Sequence, residues 1–85
     1  MQVMTDISEI KTRIKEIIFE TTSIEPADID DNASFADDMN LDSLTLLEIG
    51  VNIDQEFGLD LSEEEMKKLQ TVQASAELVR QRIDA

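Results

Sequence analysis

The sequence predicts an all-α protein, a small four-helix bundle of three main helices plus one short helix. Apolar residues recur at helical spacing in three separate segments. Capping residues and a glycine punctuate the ends of those segments, and no stretch has the alternating pattern and turn dipeptides of a hairpin. With 85 residues and 41% apolar content, the chain is read as a single domain over residues 1–85, near the lower limit for folding without staples. No internal repeat or low-complexity tract interrupts it.

The first helix is expected from about Thr5 to Thr22. Ile7, Ile10, Ile14, Ile17 and Ile18 share one face, while Glu9, Lys11, Arg13, Lys15 and Glu16 occupy much of the rest. From Ser23 to Asp42 the periodicity fails and turn formers accumulate, among them Pro26, Asp28, Asp30, Asp31, Asn32, Ser34, Asp37, Asp38 and Asn40. A loop of that length in a small domain is either functional or disordered. Ile24, Ile29, Phe35, Met39 and Leu41 favour the first, because they offer anchors to a core. The spacing Asp28, Asp30, Asn32 resembles a calcium loop, but Ala33 stands where its turn needs Gly and Met39 where it needs a bidentate Glu, so an EF-hand is set aside.

The second long helix is expected over Ser43 to Phe57 and is apolar on two sides. At roughly 100° per residue, Leu46, Ile49, Ile53 and Phe57 form one stripe, and Leu44, Leu47 and Val51 form another. Such a helix is either buried centrally or shows one stripe to a partner. Gly58 suits its left-handed C-terminal cap. Ser62-Glu63-Glu64-Glu65 reads as a capping box opening a short helix through about Leu69, with Met66 and Leu69 turned inward. Thr71 is the expected N-cap of the last helix, whose stripe is Val72, Ala76, Val79 and Ile83; its tail, Gln81 to Ala85, is expected to fray.

Composition limits the chemistry. The chain has no Cys and no His, which removes disulfides, thiolate metal sites and a thiol nucleophile, and makes a cytoplasmic location the default. No leader pattern opens the sequence, and no apolar run approaches the roughly 20 residues that span a bilayer. A net charge of −13, from seven basic and twenty acidic residues, repels nucleic acid and anionic membranes and attracts proteins with basic docking surfaces. Lys11, Arg13, Lys15 and Arg80 make up four of those seven, so the charge is polarised along the chain.

Asp42-Ser43-Leu44 stands out at the start of the second long helix. Free backbone N–H groups and the helix dipole favour an anion there, so a phosphodiester on Ser43 would be stabilised. A Ser or Asp at a helix start is also the commonest N-cap. On spacing alone both readings stand.

Asp42-Ser43-Leu44, with Asn32-Ala33-Ser34-Phe35 and Asp37-Asp38-Met39-Asn40-Leu41 before it and Glu48 and Glu56-Phe57 after it, resembles the acyl carrier protein family, in its discrete form. The similarity extends through Glu63-Glu64-Glu65 to Thr71-Val72-Gln73-Ala74. The resemblance implies a monomeric, non-catalytic carrier. In that family the serine of Asp-Ser-Leu, here Ser43, receives 4′-phosphopantetheine from coenzyme A through a phosphopantetheinyl transferase, and acyl groups ride on the arm's thiol as thioesters. Thiol chemistry in a chain without cysteine then comes with the cofactor. The partners implied are the transferase, acyltransferases, ketosynthases and other biosynthetic enzymes with basic patches. Asp42, Glu48, Asp54 and Glu56 would meet those patches, and Leu44, Leu47 and Val51 would supply apolar docking contacts. The same carboxylates also read as a solvated helix face.

Three departures qualify the resemblance. Asn40 stands where the family often has Gly, Thr45 follows the motif where carriers of primary fatty acid synthesis commonly have an acid, and Gly50 lies inside the helix where a bulkier residue is usual. They put housekeeping fatty acid synthesis in doubt and make a dedicated polyketide or specialised lipid pathway credible, so that fatty acid, polyketide and specialised lipid biosynthesis all stand as pathways for the carrier. Gly50 either opens space for an acyl chain or partner, or permits close packing against another helix. The alternatives are an aminoacyl or peptidyl carrier, which shares the bundle and the modified serine, and an unmodified acidic inhibitor of a basic cleft. A hydrolase is weaker, since Ser43 has no His to activate it.

Overall fold

Helix α1 (Ile7–Thr22) begins where Asp6 caps it, the carboxylate accepting the Ser8 N–H at 2.9 Å. The computed structural model describes residues 6–84, so Thr5, the expected first residue of this helix, lies outside them. Ile10, Ile14, Ile17 and Ile18 are buried as their spacing predicts, and each such side chain contributes roughly 1.5–3 kcal/mol. The helix stops at Ser23, whose φ of 68° is left-handed and whose N–H donates to the Phe19 carbonyl at 2.7 Å. No glycine marks this end in the sequence.

The segment between α1 and the next long helix is irregular except for a single 3-10 turn, Pro26–Asp28, which the sequence did not announce. It is fastened at several points. Ile29 and Phe35 are buried, and Ile24, Met39 and Leu41 pack against the core. The Phe35 N–H donates to the Gln70 carbonyl at 2.9 Å, and the Gln73 N–H donates to the Asp31 carbonyl at 2.8 Å. Lys15 and Lys11 of α1 reach the Asp31 carboxylate at 2.8 and 3.2 Å. Lys15 above all, with Lys11 behind it, holds that carboxyl below its ordinary range against a smaller effect of burial.

Helix α2 (Ser43–Phe57) has the expected bounds and ends at Gly58, which is left-handed with φ 61°. Ile49 and Ile53 are fully buried while Leu46 and Phe57 pack partly against the core, so the first stripe faces inward. Helix α3 (Glu63–Met66) opens with the capping box at Ser62 and Glu65. It is shorter than expected: the Lys68, Leu69 and Gln70 N–H groups bond to carbonyls two or three residues back, in turns that bury Leu69 without continuing the helix.

Helix α4 (Val72–Asp84) starts as expected, the Thr71 hydroxyl accepting the Ala74 N–H at 2.9 Å. Of the tail expected to fray, Gln81 to Asp84 are helical, and Ala85 lies outside the described residues. The helix continues through Asp84, because Ile83 packs on the core and Arg82 donates to the Leu59 carbonyl at 2.9 Å and pairs with Glu65. Helix α1 lies against both α2 and α4, and their apolar faces with Ile29, Phe35 and Leu59 close one core. No strand occurs among the described residues. The fold is the all-α bundle that the periodicity predicts.

Candidate functional site

The start of α2 separates two roles that the sequence left merged. Asp42 is the N-cap: its backbone is extended and its carboxylate accepts the Thr45 N–H at 2.8 Å. That hydrogen bond holds the carboxyl below its ordinary range. Ser43 is the first helical residue and is exposed. Its hydroxyl is therefore not the group that caps the helix, and it stands where the dipole and unpaired N–H groups favour an anion. Asn40, just before, has φ 58°, a left-handed geometry that Asn adopts more readily than most residues.

A groove of about 750 Å³ opens beside Ser43, between α2 and α3. Ser43, Leu46, Leu47 and Gly50 line it from α2; Phe35 lines it from the preceding loop, and Met66 and Leu69 from α3 and the turn after it. The α2 residues fall at i, i+3, i+4 and i+7, one face of a helix. At 1.5 Å per residue the groove therefore follows α2 for about 10 Å from Ser43 to Gly50. Its volume is in the range of small-molecule sites, and its lining is mostly apolar. Gly50 is buried against the neighbouring segment, since a Cβ there would stand 3.0 Å from the Met66 sulfur. Close approach and groove space thus coincide at this residue.

The second stripe of α2 faces away from the core. Leu44 is 67% exposed, Leu47 57% and Val51 37%, with exposed Glu48 on the same side. Asp54 and Glu56 differ from Glu48 in being bound within the molecule. Asp54 accepts the Asp60 N–H at 2.7 Å, supporting the turn after α2. Glu56 is held at 2.9 Å by Arg13 of α1, whose hydrogen bond keeps its carboxyl below the ordinary range. Sequence reasoning missed Arg13, which lies 43 positions from Glu56, and also missed Met66 as the neighbour of Gly50. The lone glycine inside an apolar helix was the one available signal for the latter.

Residues 12–79 match the family described as a phosphopantetheine attachment site, which puts the chain in a class of proteins carrying that group. It is 36% identical over 78 residues to the acyl carrier protein of Thermosynechococcus vestitus, covering 92% of this chain and 96% of that one. To the acyl carrier protein of Buchnera aphidicola it is 38% identical over 76 residues, covering 89% and 95%. The fold superposes on a solved acyl carrier protein from Enterococcus faecalis with a TM-score of 0.74 and 28% identity, covering 89% of this chain and 96% of that one. The chain belongs to the acyl carrier protein family.

Proposed function

We propose that Ser43 Oγ is the attachment atom for 4′-phosphopantetheine and that the chain, with no catalysis of its own, presents acyl groups to biosynthetic enzymes. The observation that carries this reading is the division of labour at the start of α2. Asp42 satisfies the cap, which leaves an exposed hydroxyl at the helix N-terminus beside an apolar groove. The residues present fit the group: a phosphodiester on Ser43 would meet the positive end of a 15-residue helix, worth about 0.3–1 kcal/mol at an exposed site.

When bound, the cofactor supplies a thiol that holds acyl groups as thioesters. The protein's own residues do the remaining work. Asp42 fixes where α2 begins and so where the arm is rooted. Leu46, Leu47, Gly50, Met66 and Leu69 offer apolar surface that shields a cargo chain from water. Lys67, on the rim of the groove, is exposed and pairs with Glu64 at 3.7 Å; a base that activates Ser43 would need to be desolvated and directed at it. Its partners on this reading are a phosphopantetheinyl transferase and acyl-transferring enzymes, drawn to a chain of net charge −13. A cytoplasmic location accords with a chain that lacks cysteine, and no described helix is long and apolar enough to cross a membrane.

Incubation with coenzyme A and a broad-specificity phosphopantetheinyl transferase tests the reading. Intact-mass measurement should show addition of one phosphopantetheine, and Ser43→Ala should abolish it. No gain with a transferase that modifies another carrier in the same tube would overturn the carrier reading, and a gain on Ser43→Ala would overturn the assignment of Ser43.

A further inference from the structure

A phosphodiester joining an arm to Ser43 carries a negative charge into a chain already at −13. It would stand beside the Asp42 carboxylate that caps α2, at a groove that Asp37 also lines. The helix start offsets part of that repulsion, and a nearby cation would offset more. Most of the basic side chains are engaged elsewhere. Lys11 and Lys15 hold Asp31, Arg13 holds Glu56, and Arg82 holds Glu65 and the Leu59 carbonyl. Lys67 differs. Among the described residues it is the one basic residue lining the groove beside Ser43. Its side chain is 73% exposed, and its pairing with Glu64 is 3.7 Å long, beyond hydrogen-bond distance. An ammonium on a flexible four-carbon stem, so loosely paired, changes partner at little cost. The wall that carries it is held in place. Helix α3 opens with the Ser62 and Glu65 capping box, Arg82 of α4 fastens Glu65, and the Gln70 carbonyl just beyond accepts the Phe35 N–H at 2.9 Å.

Resting on the carrier reading, we propose that Lys67 binds the phosphodiester on Ser43 across the groove, giving up Glu64 for it, and that modification thereby braces the α3 wall against the start of α2. The new pair is charge-assisted, from ammonium to an unesterified phosphate oxygen. The pairing it replaces lies within one turn and joins no two elements. Attachment of the arm then does more than bring a thiol: it adds a tie between two helices and roots the arm toward the groove. Lys68, the next residue, has the same charge but does not line the groove, so position and not net charge decides which lysine binds.

The test is the Tm of the full chain before and after phosphopantetheinylation, measured at low salt for wild type, Lys67→Gln, Lys67→Arg and Lys68→Gln. Modification adds the same negative charge to each protein, so the shared repulsion cancels in the comparison. The change in Tm on modification should be about 2–4 °C more favourable in wild type than in Lys67→Gln. Lys67→Arg, which keeps the charge, and Lys68→Gln should both behave as wild type. Raising the salt should shrink the difference. The phosphorus NMR resonance of the modified protein should move on Lys67→Gln and stay in place on Lys68→Gln. An equal change of Tm in wild type and Lys67→Gln, or an equal loss in Lys67→Gln and Lys68→Gln, overturns the proposal, while the added mass on Ser43 leaves the carrier reading standing. Failure of the wild-type chain to accept the arm overturns both.

Discussion

Gly50 of α2 and Met66 of α3 are so closely apposed that a Cβ on Gly50 would stand 3.0 Å from the Met66 sulfur and 3.6 Å from Leu69 Cδ1. A glycine inside a helix costs about 1 kcal/mol relative to Ala, and here that cost accompanies both a close approach and one wall of the groove. The atom in the way is the sulfur of a half-buried, unbranched side chain, which repacks easily. Gly50→Ala should therefore stabilise the protein by about 0.5 kcal/mol in urea denaturation, most of the helical gain surviving the shift of Met66. Gly50→Leu fills the groove. Loading with a medium-length acyl group should raise the Tm of the wild-type carrier, as ligation of the folded state does, and should leave that of Gly50→Leu unchanged. An equal rise in both would mean that the cargo does not lie against Gly50.

Asp31 ties the long loop to α1 through Lys15 and Lys11. Its carboxyl lies below the ordinary range in the folded state, chiefly because of Lys15, so folding favours the ionised form. The contribution is present in full above the unfolded value of about 3.9 and is lost as pH falls through the lower folded value. Asp31→Asn lacks this dependence while keeping the backbone carbonyl that accepts from Gln73. Urea unfolding of the two proteins should differ by about 1 kcal/mol near pH 7, and the gap should close below about pH 4. A gap that stays constant with pH would assign the difference to packing of the loop. Comparing the two proteins at each pH cancels the change in overall repulsion shared by both.

What the sequence disclosed and what it withheld divide along the chain separation of the groups concerned. Ser62 and Glu65 meet within one turn, so their capping box was legible from four consecutive residues. The two stripes of α2 were equally legible, because helical periodicity fixes which side chains share a face; which stripe is buried follows only from how α1 lies against α2. Arg13 with Glu56, Asp31 with Lys11 and Lys15, and Met66 with Gly50 all join distant segments, and nothing local announces them. The 3-10 turn at Pro26 and the end of α3 at Met66 were missed for another reason. Both rest on bonds reaching back two or three residues, which many polar sequences satisfy equally well. At the site, Asp42-Ser43 was legible as a motif, while the assignment of the cap to Asp42 required the Thr45 hydrogen bond.

Among the described residues Ser75 is the one buried polar residue, fully buried on α4 beside Val72, Ala76 and Val79. Among the described residues its Oγ is the buried side-chain oxygen without a hydrogen-bond partner. Folding removes that hydroxyl from water and returns nothing, a penalty of about 1–3 kcal/mol, and Ala is also the better helix former. Ser75→Ala should therefore raise stability by about 1 kcal/mol and Tm by about 4–8 °C for a domain of this size. Ser75→Val removes the same hydroxyl but adds bulk to a close-packed site, so it should gain less or lose stability. Calorimetry on the three proteins separates the two effects. A lower Tm for Ser75→Ala would mean that the hydroxyl is satisfied in solution and belongs to the packing of α4 after all.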